Sequence, residues 1–321
     1  MLLKNAMTAL AATTAIVLLS GCGGANRSAG LTPTVASGTT NASSMIRADT
    51  FGEAARIAAK TSKVLAYVID GGTNAVAVYS YPAFTLVQTL NITPSGECTD
   101  TAGDVWFVMG QQIVEYAHGG TEPIATLSDP GGHPASCAVS SSTGTLAVAN
   151  ITSTKYGPGN IALYAHAKGS PKIVQASGEV YFLTYDSHDD LFGDGLNSQY
   201  QLELFELPRE VKTIRSVALK GATIAFPGGV QYLGNVLNIL DQESAINYET
   251  HVAGDTATVT GKTLLAGASD CVQQFIYKNR LLCADAGNAD VEVYRYKKGG
   301  DAVKTVSGSE PSGVAVSVDA K

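Results

Sequence analysis

Charge is scarce in this sequence. Asp, Glu, Lys and Arg make up 15% of the 321 residues, the formal net charge is -7, and no cluster of Lys or Arg stands out. A phosphate backbone is held by a basic footprint, and without one nucleic-acid binding is excluded. No Cys-x-x-Cys pair occurs, which removes the common structural zinc sites. No G-x-S-x-G, H-E-x-x-H, Walker or dinucleotide fingerprint stands in a suitable context. The apolar run from Ala6 to Leu19 is too short for a comfortable membrane span.

Glycine, by contrast, is plentiful at 34 residues, which suits short strands joined by tight turns and argues against a long-helix protein. One phrase recurs. Leu281-Leu-Cys-Ala-Asp-Ala-Gly-Asn-Ala-Asp-Val-Glu-Val-Tyr294 reads as a strand, a tight turn and an alternating strand ending in an aromatic. Leu65-Ala-Tyr-Val-Ile-Asp-Gly-Gly-Thr-Asn-Ala-Val-Ala-Val-Tyr79 repeats it, with weaker copies between. The aromatics Tyr79, Tyr116, Tyr164, Phe205, Tyr248 and Tyr294 mark successive units roughly 37 to 48 residues apart. A period of that size, with four strands to the unit, predicts an all-β propeller.

Short turns between first and second strands fall at Thr101-Ala-Gly103, Ser142-Thr-Gly144, Ser187-His-Asp189, Leu233-Gly-Asn235 and Lys278-Asn279, one fewer than the units. The missing turn would join Val314-Ala-Val-Ser-Val-Asp319 to Val64-Leu-Ala-Tyr-Val-Ile69, at opposite ends of the chain. Six blades are therefore predicted, with the C-terminal strand completing the first blade and hiding the edge that an open ring would expose. Asp70, Asn150, Asp194, Asp241 and Asp285 end second strands, where Asp and Asn cap turns. Met109-Gly110 breaks that pattern in the second blade.

The N-terminus reads as a targeting segment over residues 1–21: Lys4, the apolar run, then Leu19-Ser-Gly-Cys22. This resembles the lipobox of bacterial lipoproteins. The resemblance implies that Cys22 carries a diacylglycerol and, after cleavage, an acylated amino group. Acyl chains contribute about 0.8 kcal/mol per buried CH₂. Gly23, rather than Asp, follows the Cys. In that family this favours the outer membrane or cell surface over inner-membrane retention. Residues 22–60 then form a flexible tether, with two or three helical turns or a frayed leader over residues 51–60. The propeller spans 61–321.

Asp285-Ala-Gly-Asn288 with Val-Glu-Val-Tyr294, and Pro311-Ser-Gly-Val-Ala-Val-Ser-Val318, resemble the repeats of NHL and YVTN-type six- to seven-bladed propellers. That fold hosts binding proteins, lyases and lactonases alike. Trp106-Phe107 is reminiscent of streptogramin lyases, but Val-Met follows where that family has a Glu.

Four cysteines remain beyond Cys22, an even number in an exported chain. On the repeat, Cys98 and Cys137 fall early in the inner strands of neighbouring blades, and Cys271 lies beside Cys283 on the next strand of its own blade. The expected bridges are Cys98–Cys137 and Cys271–Cys283; the alternative is four reduced, buried thiols. Ligands of propellers usually meet the top face, and Glu97, His133, Asp270 and Glu310 are the candidates for the channel mouth. His133 is the best placed base or ligand; its plain alternative is a turn histidine before Pro134. The run Asp186-Ser-His-Asp-Asp190 reads as a solvated hairpin on the opposite face.

These features point to a monomeric, lipid-anchored binding or scaffolding module of the bacterial envelope. No cofactor or metal is implied, and its partner is an envelope protein or a small ligand. The alternative is a metal-dependent hydrolase or lyase of the gluconolactonase or streptogramin-lyase type.

Overall fold

A computed structural model describes Ala58 and residues 61–211 and 213–320. Cys22 and nearly all of the leader over 51–60 lie outside the described residues. The described residues form a six-bladed propeller, each blade a twisted antiparallel sheet. From the inner strand outward, blade one is Pro311–Val318, Val64–Asp70, Ala75–Ser80 and Thr85–Leu90. Blade two is Gly96–Thr99, Val105–Met109, Gln112–Tyr116 and Pro123–Ser128. Blade three is Gly132–Val139, Leu146–Ser153, Asn160–Tyr164 and Lys172–Gln175. Blade four is Phe182–Tyr185, Leu191–Leu196, Leu202–Leu207 and the two-residue Arg215–Ser216.

Blade five, Pro227–Leu233, Val236–Asp241, Ile246–Ala253 and Thr256–Ala266, is the irregular one. Its long outer strand takes two short parallel partners, Ala218–Lys220 and Gly300–Asp301, which cover an edge otherwise open to other chains. Blade six is Cys271–Tyr277, Arg280–Asp285, Asp290–Arg295 and Lys304–Ser307.

Strand alternation builds the core. In Val64–Asp70, the side chains of Leu65, Tyr67 and Ile69 pack with Val105 and Phe107 of blade two. Ala66 and Val68, pointing the other way, pack with Leu282, Ala284 and Val293 of blade six. A strand covered on both faces needs no polar positions, which is why second strands read as nearly continuous apolar runs. All six marker aromatics lie in third strands.

The ring closes as the missing turn predicts. Val64 pairs with Val318, Ala66 with Val316 and Val68 with Val314, and the Asp319 N–H donates to the Lys63 carbonyl at 2.9 Å. His118 of blade two clasps this seam, with Nδ1 2.6 Å from the Ser317 hydroxyl and Nε2 2.7 Å from the Ser62 carbonyl.

The repeated acids do more than cap their own turns. Asp70 accepts the Gly72 N–H at 3.1 Å and also the Ser309 and Glu310 N–H groups at 3.0 and 2.8 Å. Asp285 likewise takes Asn288 together with Ser269 and Asp270. Each carboxylate thus ties its turn to the loop leading into the inner strand of the same blade. Blade two has no such acid because Met109 and Gln112 are joined by a two-residue turn. That turn needs a left-handed residue, and Gly110 supplies it at φ 58°.

Candidate functional site: the central channel and the top face

The inner strands surround a channel with a cavity of about 200 Å³, lined by Glu97, the Cys98–Cys137 pair, Leu183, Val230 and Gln273 among others. Both expected disulfides are present: Cys98–Cys137 with Cα atoms 5.4 Å apart, Cys271–Cys283 at 5.6 Å. The first crosses from blade two to blade three on the channel wall; the second stays within blade six.

Glu97 stands next to Cys98 in a short strand, so when Cys98 turns toward blade three, Glu97 turns toward blade one. It is 1% exposed, and neither carboxylate oxygen has a hydrogen-bond partner among the described residues. Burial alone holds its carboxyl well above the ordinary range. A buried polar group without a partner costs about 1–3 kcal/mol, so Glu97 is a standing expense, as is the unpartnered Oε1 of Gln274 in the same wall. Gln273 reaches into the space beside Gly313, where a side chain would meet both its amide oxygen and Ile69. Gln274 faces away, into the seam between blades five and six. There its amide donates to the Gly229 carbonyl and to Asn247, and Asn247 in turn donates to Asn238. Sequence reasoning missed this buried amide ladder, because nothing in the spacing separates a Gln that faces a channel from one that faces a seam.

The other three candidates lie at the top face, His133 at the start of the strand Gly132–Val139 and Asp270 and Glu310 on loops. His133 is exposed and stacks on Tyr156 of the next turn, ring centroids 4.8 Å apart. Asp270 and Glu310 are exposed, on neighbouring lead-in loops, with their backbone N–H groups held by Asp285 and Asp70. Partial burial, then the nearby Asp285, raises the Asp270 carboxyl. Among the described residues no hydrogen bond or ion pair joins any two of Glu97, His133, Asp270 and Glu310.

Two acidic groupings lie on the opposite, bottom face. Asp100, Asp104 and Glu115 of blade two bring carboxylate oxygens within 4.8 Å of one another. Burial first, then the charges of Asp104 and Asp100, push the Glu115 carboxyl up to about 7. In the Asp186–Asp190 hairpin, Ser187 and His188 are solvated as expected, but Asp189 is not. It sits at a left-handed φ of 67°, buried, and accepts the hydroxyls of Ser140 and Ser142 and the Arg209 guanidinium. The two serine hydroxyls hold its carboxyl below the usual range.

No protein-family model matches the chain, and no curated protein does. Solved structures do. A chain of the crystallised nidogen/laminin complex superposes with a TM-score of 0.65 at 12% identity, covering 80% of this chain and 99% of that one. A protein of unknown function from Bacteroides caccae gives 0.61 at 13% identity, with 80% and 99% covered. A candidate 6-phosphogluconolactonase from Bacteroides fragilis gives 0.53 at 12%, with 80% and 98% covered. At these identities the likeness is one of fold, and the chain is a six-bladed β-propeller similar to both a propeller of the nidogen/laminin complex and lactonase-type propellers.

Proposed function

We propose that the chain is an extracytoplasmic binding module, held at a bacterial envelope membrane by lipid on Cys22, whose propeller engages a small ligand or an envelope protein through the channel and its top-face loops. The observation that carries the binding reading is Glu97. Buried acids are retained against their desolvation cost where they serve a site, and this one, on a channel-lining strand, has no partner for either oxygen among the described residues. The lipid anchor rests on Leu19-Ser-Gly-Cys22, and the paired cysteines fit an oxidising compartment. The propeller in the nidogen/laminin complex supports a protein-binding use of this architecture by analogy of fold only.

The hydrolase or lyase alternative needs several converging ligands for a divalent ion. Among the described residues, Glu97 belongs to no group of three metal-binding side chains. The test is a thermal-shift screen of small molecules and purified envelope fractions against wild type and Glu97→Gln. A channel ligand present at a hundred times its Kd stabilises wild type by about 2.7 kcal/mol and the variant by less. Identical responses of the two proteins would remove Glu97 from any binding role. Metal analysis and a lactone-hydrolysis assay, run alongside, would reveal the enzymatic alternative. Cys22→Ser should abolish lipid labelling and release the protein from membranes.

A further inference from the structure

A sizeable cavity lies away from the channel mouth. It opens on the bottom face between blades three and four, with a volume of about 360 Å³, within the range of small-molecule sites. It exists because the outer strands here are short: blade three ends in the four residues Lys172–Gln175 and blade four in Arg215–Ser216. The flanks of the second and third strands are therefore left partly uncovered.

The floor is apolar. Leu163, Leu191 and Leu207 line it, and all three belong to the packed seam between the two blades. The lip carries charge. Arg209 is already committed: its guanidinium lies 3.1 Å from Asp189, and its backbone N–H donates to Asp190 at 2.7 Å. Asp189 is equally committed, to Ser140, Ser142 and Arg209. Two groups remain unspent. Lys172 lines the cavity, exposed, with no carboxylate within ion-pair distance among the described residues. Tyr185 lines it too, and its hydroxyl has no hydrogen-bond partner among the described residues. An ammonium offers only donors, and a neutral phenol offers one. The free functionality of the site is thus a cation and a hydroxyl above a hydrocarbon floor.

We propose that this cavity binds a small amphipathic monoanion: a carboxylate on an unbranched or aromatic apolar body, with its head at Lys172 and Tyr185 and its tail on Leu163, Leu191 and Leu207. The committed Asp189–Arg209 pair leaves Lys172 as the charge that selects the ligand. Glu210, almost wholly exposed at the outer lip, is solvated and opposes the selection only weakly.

Sodium octanoate is the probe, with hexanoate and octylammonium as controls, measured by calorimetry on the complete folded domain. Octanoate should bind saturably. Two fewer methylenes should weaken hexanoate by about tenfold or more, and octylammonium should show no saturable binding. Lys172→Glu, at an exposed position, should weaken octanoate at least tenfold while leaving the melting temperature in place. Val211→Asp, which puts a carboxylate on the exposed lip, should do the same. Chemical-shift changes should centre on the Tyr185 ring. Glu97→Gln should leave octanoate binding unchanged, so this site and the channel reading stand or fall separately. Equal affinity of wild type and both lip variants for octanoate, or equal binding of octylammonium, would overturn the proposal.

Discussion

The two disulfides close loops of very different length, and that difference sets their contributions to stability. Cys98 and Cys137 are 39 residues apart, Cys271 and Cys283 only 12. If a bridge acts mainly by restricting the unfolded chain, the long loop contributes about 4 kcal/mol and the short one about 3 kcal/mol. Both pairs have Cα separations in the usual range. To isolate each bridge without emptying its packing, one pair is replaced by Ala and the other is measured oxidised and then reduced. Urea midpoints then give the cost of opening a single bridge. For a domain of this size 1 kcal/mol shifts the melting temperature by about 2–4 °C. Reduction of Cys98–Cys137 should thus lower it by about 8–16 °C, and of Cys271–Cys283 by somewhat less. The bridges lie in different blades, so the losses should add. A larger loss from the 12-residue loop than from the 39-residue loop would refute the reasoning, and would mean that the bridges act on the native seams instead.

Deleting residues 313–321 removes the buried Val314, Ala315 and Val316 and leaves Val64–Asp70 without its inner partner. The summed loss should exceed the usual 5–15 kcal/mol of net stability, so the truncated protein should aggregate; an unchanged melting temperature would disprove the closure. Deleting residues 23–44 should leave the melting temperature unchanged. Glu115 holds its proton up to about pH 7 in the folded protein, whereas the unfolded chain releases it near 4.5. The folded state therefore binds more protons between those values, and the contribution of Glu115 to stability falls as pH rises through that window. Urea midpoints at pH 5 and pH 8 should differ less in Glu115→Gln than in wild type; an unchanged difference would remove Glu115 as its source.

The sequence carried the fold because propeller blades repeat. A strand buried on both faces must be apolar, and the acid at its end must reach both its own turn and the neighbouring loop, so Asp70 and Asp285 stand in equivalent places. The closure was legible as arithmetic, one turn missing between chain ends, and the same alignment paired the cysteines. The site was less legible. Period 2 places Glu97 on an inner strand but leaves open whether its carboxylate reaches solvent, which the packing of neighbouring blades decides. The Asp189 cluster was misjudged because an acidic hairpin looks the same whether or not Ser140 and Ser142 of the next blade stand over it. The parallel partners of blade five come from loop segments with no strand signature, Ala218–Lys220 and Gly300–Asp301, so only tertiary contact reveals them.

The closure of blade one also has a mechanical consequence. Whatever holds the N-terminus pulls on the start of Val64–Asp70, a strand laddered on both sides, to Pro311–Val318 and to Ala75–Ser80. Tension along that strand loads both ladders in shear, many hydrogen bonds at once, rather than peeling an edge one bond at a time. His118 and the Lys63–Asp319 contact lie at the point where the load enters. A domain drawn along by its leader thus meets the force at a doubly supported strand, and the outermost Thr85–Leu90 strand of that blade would be the last to feel it.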